Sequence, residues 1–87
     1  MYNMYKVKVY VTLREGILDP QGVAIKQSLA QLGYSEVQDV RAGKYLELLI
    51  EKTDRDLDDV IREVCGRVLS NPVIEDYRYE IEECVAP

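Results

Sequence analysis

The chain has no histidine, no tryptophan and no phenylalanine. Without histidine it lacks the side chain used most often as a general base near neutral pH, and the commonest metal ligand. Cysteine is scarce as well. Cys65 and Cys84 are too few for a disulfide framework and their spacing fits no metal motif, so both read as reduced thiols of a cytoplasmic protein. The three serines, Ser28, Ser35 and Ser70, have no base-and-orienter pattern around them that would make a nucleophile. No apolar run is long enough for a signal peptide or a membrane span. Positive charge is in deficit, with 11 Lys and Arg against 16 Asp and Glu and a net charge of -5. A protein that holds phosphate backbones needs a clustered positive surface, which excludes nucleic acid and disfavours acidic membranes as partners.

What is present is an ordinary globular composition, 47% hydrophobic and 31% charged, in 87 residues. That length implies one domain over 1–87, near the lower limit for independent folding, where self-association often adds stability. Tyr5 to Leu13 alternates with period two, as a half-buried strand does. Asp19-Pro20 opens a helix with an acceptor at the N-cap and a proline at N1. The helix runs to about Leu32, with Gly22, Ile25, Leu29 and Leu32 on one side and Gly33 as its stop. Val37 to Ala42 reads as a weaker strand, and Tyr45 to Glu51 as one that is apolar on both faces. Thr53 or Asp54 caps a second helix to about Leu69, whose stripe is Leu57, Val60, Ile61, Val64 and Val68. Val73 to Ile81 supplies the last strand. The order βαββαβ implies an α+β, ferredoxin-like domain, a four-stranded antiparallel sheet with two helices on one face.

Three groups of residues could carry function. The acidic run Asp54, Asp56, Asp58 and Asp59 reads as a solvated helix start, where carboxylates complement the dipole, rather than a metal site. Gly16 and Gly22 flank the first strand-to-helix junction, but no Walker-type lysine follows, so they read as a turn and a close helix approach. The sheet face that the helices leave open brings Tyr10 and Thr12 beside Tyr45 and Leu49. A small domain does not leave such a patch wet, so this face is expected to mediate self-association.

The strand leading into Gly16-Ile17-Leu18-Asp19-Pro20-Gln21-Gly22, and then Val40-Arg41-Ala42-Gly43-Lys44 running into Tyr45-Leu46-Glu47-Leu48, resemble the PurS family. PurS is the small subunit of bacterial and archaeal phosphoribosylformylglycinamidine synthase. The resemblance spans nearly the whole chain; Met1-Tyr2-Asn3 reads as an extension, and Cys84 to Pro87 matches no motif. It implies a subunit without an active site or cofactor of its own, dimeric or tetrameric, joining a glutaminase subunit to a large synthetase subunit that holds ATP and magnesium. By motif position, Arg14, Glu15, Gly16, Asp19, Gln21, Arg41, Gly43 and Lys44 are expected to meet those partners, since loops carry binding more often than core strands do. Two other readings compete. An ACT-like ligand-binding module shares the element order and a Gly-hydrophobic-Leu run. An acylphosphatase-like enzyme would need an asparagine after the first strand, which this chain lacks.

Overall fold

The opening alternation becomes β1 (Met4–Leu13) in a computed structural model that describes residues 3–85. It is followed by α1 (Pro20–Gln31), β2 (Gly43–Glu51), α2 (Leu57–Val64), a π-helical stretch over Cys65–Leu69, and β3 (Glu75–Cys84). The sheet is antiparallel with order β2-β1-β3, so β1 is central. Val7 stands opposite Leu48 and Ile81, and Val9 opposite Leu46 and Tyr79. Side chains of one parity therefore gather on one face. There Val7, Val9 and Val11 are fully buried beneath Ile61 and Cys65, with Leu46, Leu48, Ile50, Leu57 and Tyr79 packed around them.

The expected fourth strand is absent. Residues 37–42 join no strand of the sheet, which among the described residues has three strands rather than four. The reason is competition for backbone donors. The Val40 N–H goes to the Asp39 carboxylate at 3.0 Å and the Ala42 N–H to the Asp19 carboxylate at 2.8 Å. In a ferredoxin-like order the place beside β2 thus stays empty, and β2 presents an unpaired edge.

The two helices also do not share the covered face as expected. The core cluster and the residues packed against it come from the sheet, α2 and the π-helical stretch. Gly22 is the one buried residue of α1, while Val23, Ile25 and Leu32 are exposed. The radius of gyration is 17.0 Å, against about 12 Å for a compact chain of this length. The protomer is drawn out along one axis, 52 × 28 × 15 Å.

Element ends differ in smaller ways. Asp56 caps α2, accepting from the Asp59 N–H at 3.1 Å, in place of Thr53 or Asp54. Thr53 instead accepts from the Arg55 N–H. The Ser70 N–H and hydroxyl both donate to the Cys65 carbonyl, at 2.9 and 2.8 Å, and close the π-helical stretch. Cys84 belongs to β3, opposite Met4. The outermost residues of both ends, 1–2 and 86–87, lie outside the described residues.

Candidate functional site

The two loops singled out by sequence meet at one end of the sheet, where β1 stops and β2 and β3 start. Asp19 joins them. It is buried, 5% exposed. One carboxylate oxygen accepts from the Gly22 N–H at 2.9 Å, capping α1, and the other accepts from the Ala42 N–H. Arg41 donates to the carbonyls of Leu13 and Arg14, both at 3.1 Å. Arg14 reaches across to β3, donating to the carbonyls of Glu75 and Pro72 and lying 3.4 Å from the Asp76 carboxylate. Lys44 donates to the Leu69 carbonyl at 3.3 Å. Glu15 and Gly16, the latter at φ +85°, form the exposed turn, Gln21 lies exposed in the first turn of α1, and Gly43 starts β2.

Two open clefts flank this junction. One of about 390 Å³ is bordered by Asp19, Gln21, Gly43, Lys44 and Glu75. The other, about 510 Å³, lies between Thr12, Glu15, Gly16, Asp39 and Arg41. The cations at this corner hold backbone carbonyls and carboxylates, and no base faces a nucleophile. The arrangement suits recognition of another surface by shape and hydrogen bonding. Among the described residues no group of three or more Cys, Asp or Glu side chains could hold a metal ion.

The Gly22 and Ala42 N–H groups, with Arg41 beside them, hold the Asp19 carboxyl below the usual carboxylate range. Folding therefore favours the ionised form. The stability this contributes is present above the unfolded-state value of about 3.9 and is lost as pH falls through the lower folded value. Asp19→Asn should flatten that part of the acid limb. Thermal midpoints compared between neutral pH and about pH 2.5 should fall further for the native chain than for the variant. Equal falls would show that Asp19 is not a coupled group.

The open face of the sheet carries Tyr10, Thr12, Tyr45 and Leu49, with charged side chains among them. Tyr10 lies opposite Tyr45, with ring centroids 5.1 Å apart, and the Arg78 guanidinium stands 4.0 Å from the Tyr10 ring centre. Thr12 faces Gly43 and Leu49 faces Lys6. Leu49 is thus four residues along β2 from Tyr45, about 13 Å. Charge runs between them. Lys6 pairs with Glu47 at 3.4 Å and Lys8 with Glu82 at 2.7 Å. The Tyr45 hydroxyl donates to Glu47 at 2.8 Å, which lowers the Glu47 pKa and raises that of Tyr45. The hydrogen bond from Lys8 likewise lowers Glu82 and raises Lys8. Sequence reasoning missed Arg78, Glu80 and Glu82. The signal was available: if Tyr77, Tyr79 and Ile81 point inward, the residues between them point out.

On the far side of the sheet, burial raises the pKa of the Cys65 thiol, as suits a packing residue. The Tyr79 hydroxyl reaches Asp58 at 2.8 Å, tying β3 to the first turn of α2. This accounts for one of the four clustered aspartates, and the Asp56 cap for another. No helix is long and apolar enough to cross a membrane among the described residues.

A family model described as PurS, phosphoribosylformylglycinamidine synthase, matches residues 6–83. The PurS subunit of this synthase from Bacillus subtilis (strain 168) is 64% identical over 83 residues, 95% of this chain and 99% of the relative. The one from Methanocaldococcus jannaschii is 33% identical, over 92% of this chain and 98% of its own. A crystal structure of B. subtilis PurS superposes with a TM-score of 0.87 at 63% identity, covering 91% of this chain and 99% of that one. A chain of the PurLQS structure from Thermotoga maritima superposes with a TM-score of 0.76 at 28% identity, covering 93% and 98%.

Proposed function

The chain belongs to the PurS family and is a subunit of phosphoribosylformylglycinamidine synthase, a glutamine-dependent ligase of purine biosynthesis, and from that premise we propose that it bridges the glutaminase and ATP-dependent synthetase subunits. The observation that carries this reading is the junction held by Asp19. Both family-like loops converge on one corner beside two open clefts, and its charged groups serve to fix backbone rather than to move protons. Such a corner offers a partner a rigid and specific surface.

The chemistry gives a bridge its purpose. The glutaminase releases ammonia from glutamine. The synthetase, which holds ATP and magnesium, activates the amide oxygen of formylglycinamide ribonucleotide. Ammonia then attacks the activated carbon, and phosphate leaves to give the amidine. In neutral water ammonia takes up a proton, and ammonium has no lone pair with which to attack. A subunit that closes the space between the two sites keeps the nucleophile unprotonated, and needs no catalytic residue to do so. The work is cytoplasmic in this reading. The chain self-associates as a dimer or tetramer, and Tyr10, Thr12, Tyr45 and Leu49 on the open face contribute to its contacts.

Glu15, Gly16 and Gln21, exposed at the corner, meet a partner subunit, with Arg14, Asp19, Arg41, Gly43 and Lys44 setting the shape they present. The double variant Glu15→Lys, Gln21→Lys should fold normally, because both side chains are exposed. Its co-elution with the glutaminase and synthetase in gel filtration should weaken by at least about tenfold, the cost of unmatched charge at an interface. Undiminished co-elution would move the contact elsewhere.

A further inference from the structure

We infer that Leu18 and Val73, presented by two loops of the Asp19 corner, are the apolar anchors by which that corner seats in a synthase subunit. The surface that takes them is a recess lined by aliphatic side chains and edged by lysine or arginine. This rests on the bridging role proposed above and deepens it by naming the side chains that carry the contact and the chemistry of the partner surface.

A third loop reaches the corner beside the two singled out by sequence. It runs between the π-helical stretch and β3, over residues 70–74. Its own groups close it into a fixed turn. The Asn71 carbonyl accepts from the Ile74 and Glu75 N–H groups at 3.1 and 2.7 Å. The Asn71 side chain accepts from the Val73 N–H at 3.1 Å, and the Glu75 carboxylate accepts from the Asn71 N–H at 2.7 Å. Arg14 fastens the turn to the end of β1. Its N–H donates to the Ile74 carbonyl at 2.9 Å, and its guanidinium to the carbonyls of Pro72 and Glu75. At the tip of this turn Val73 stands 78% exposed. Leu18, 74% exposed, precedes the buried Asp19, which borders the same cleft as Glu75. Its loop is held too, by the Ile17 N–H on the Arg14 carbonyl at 3.2 Å and by the two N–H groups on Asp19.

Reversing the chain calls for neither side chain, since turns in water are ordinarily built from polar residues, glycine and proline. One exposed aliphatic residue is common on any surface. Two so fully exposed, on separate loops that are both tied down, have the form of binding anchors. A rigid loop has little ordering entropy left to lose on binding, so burial of its apolar tip is retained as affinity. The surroundings define the partner. Arg14, Arg41 and Lys44 direct donors to the chain's own carbonyls, whereas Glu15 and Asp39 stand exposed. The corner therefore offers aliphatic tips with carboxylates nearby, which fits an apolar recess with a basic edge. A second copy of this chain is a poor occupant, because the same acidic corner would meet itself in a protein of net charge -5.

The test uses the full chain with the purified glutaminase and synthetase, each alone and both together, and reads dissociation constants by biolayer interferometry. Leu18→Ser and Val73→Ser should each raise the dissociation constant for one and the same subunit at least about tenfold, the loss of a buried aliphatic side chain. Their thermal midpoints should stay within about 3 °C of the native chain, because neither side chain belongs to the protomer core. Val85→Ser, which removes an exposed aliphatic residue just past the opposite end of β3, should leave binding unchanged. Binding of the native chain should weaken as ionic strength rises, as opposite charges at the rim require. As a second readout, p-benzoylphenylalanine in place of Val73 should give photo-adducts with that same subunit. Unchanged binding in both serine variants, an equal loss with Val85→Ser, binding indifferent to salt, or adducts formed only between copies of this chain would each overturn the inference while leaving the bridging role in place. A native chain that binds neither subunit overturns both.

Discussion

Replacing Ile61 with alanine is expected to remove about 3 kcal/mol of stability. Ile61 is the largest of the fully buried side chains, at 0% exposure, and belongs to the same buried cluster as Val7, Val9 and Val11. The reason for the size of the effect is the thinness of the core. Among the described residues five hydrophobic side chains are fully buried, Val7, Val9, Val11, Ile61 and Cys65, and α2 with its π-helical continuation alone covers the sheet. A chain of this length has roughly 4–13 kcal/mol to lose. A loss of about 3 kcal/mol raises the unfolded fraction more than about a hundredfold, at 1.36 kcal/mol per factor of ten. Urea unfolding at fixed protein concentration should show the midpoint moving down with the slope unchanged. A loss below about 1 kcal/mol would mean that the site collapses around the gap, and that α2 is not what holds the sheet covered.

Gly22→Ala should also be destabilising, against the general preference for alanine over glycine inside helices. A Cβ built at Gly22 stands 2.2 Å from the Val40 carbonyl oxygen and 2.7 Å from Asp19 Oδ2. Neither neighbour can give way cheaply. One is backbone of the 33–42 segment, and the other is a carboxylate held by two N–H groups. Either α1 or residues 33–42 must move, and the Asp19 link between the two loops breaks. We expect a net loss of about 2 kcal/mol, an overpacking cost of 1–3 kcal/mol or more set against a favourable term of up to about 1 kcal/mol. Limited proteolysis should show cleavage within 33–42 at a rate raised on the order of tenfold. A variant as stable and as protected as the native chain would show that this segment is not pinned there.

Much of the fold could be read from local pattern. The alternation of Tyr5 to Leu13 marked β1, and Asp19-Pro20 with Gly33 marked both ends of α1, since caps act within a few residues of where they sit. Gly33 has φ +97°, the conformation a helix stop requires. Residues 37–42 look like a strand in sequence because the competitor for their donors is remote. Asp19 lies 23 residues before Ala42, and nothing in Val37 to Ala42 itself says that its donors are already taken. The cap of α2 was ambiguous for the opposite reason, as Thr53, Asp54 and Asp56 all offer an acceptor within one turn. Helical periodicity placed Val60, Val64 and Val68 on one stripe but could not tell that α1 would leave their flank bare. At the site, resemblance picked out the two loops, but their union through a single buried carboxylate needs the third dimension. The open face was read from β1 and β2 alone. The outward residues of β3 add Glu82, paired with Lys8, and Arg78, stacked on Tyr10, to the Lys6–Glu47 pair between β1 and β2.

In the proposed role the chain connects ammonia release to ammonia use. The direct measurement is amidine formation by the glutaminase and synthetase subunits, with and without this chain, supplied first with glutamine and then with ammonium. The expected result is that glutamine-dependent synthesis requires the chain, while ammonium-dependent synthesis proceeds at the same rate without it. Full glutamine-dependent synthesis in its absence, or loss of the ammonium-dependent rate along with the glutamine-dependent one, would contradict a bridging role.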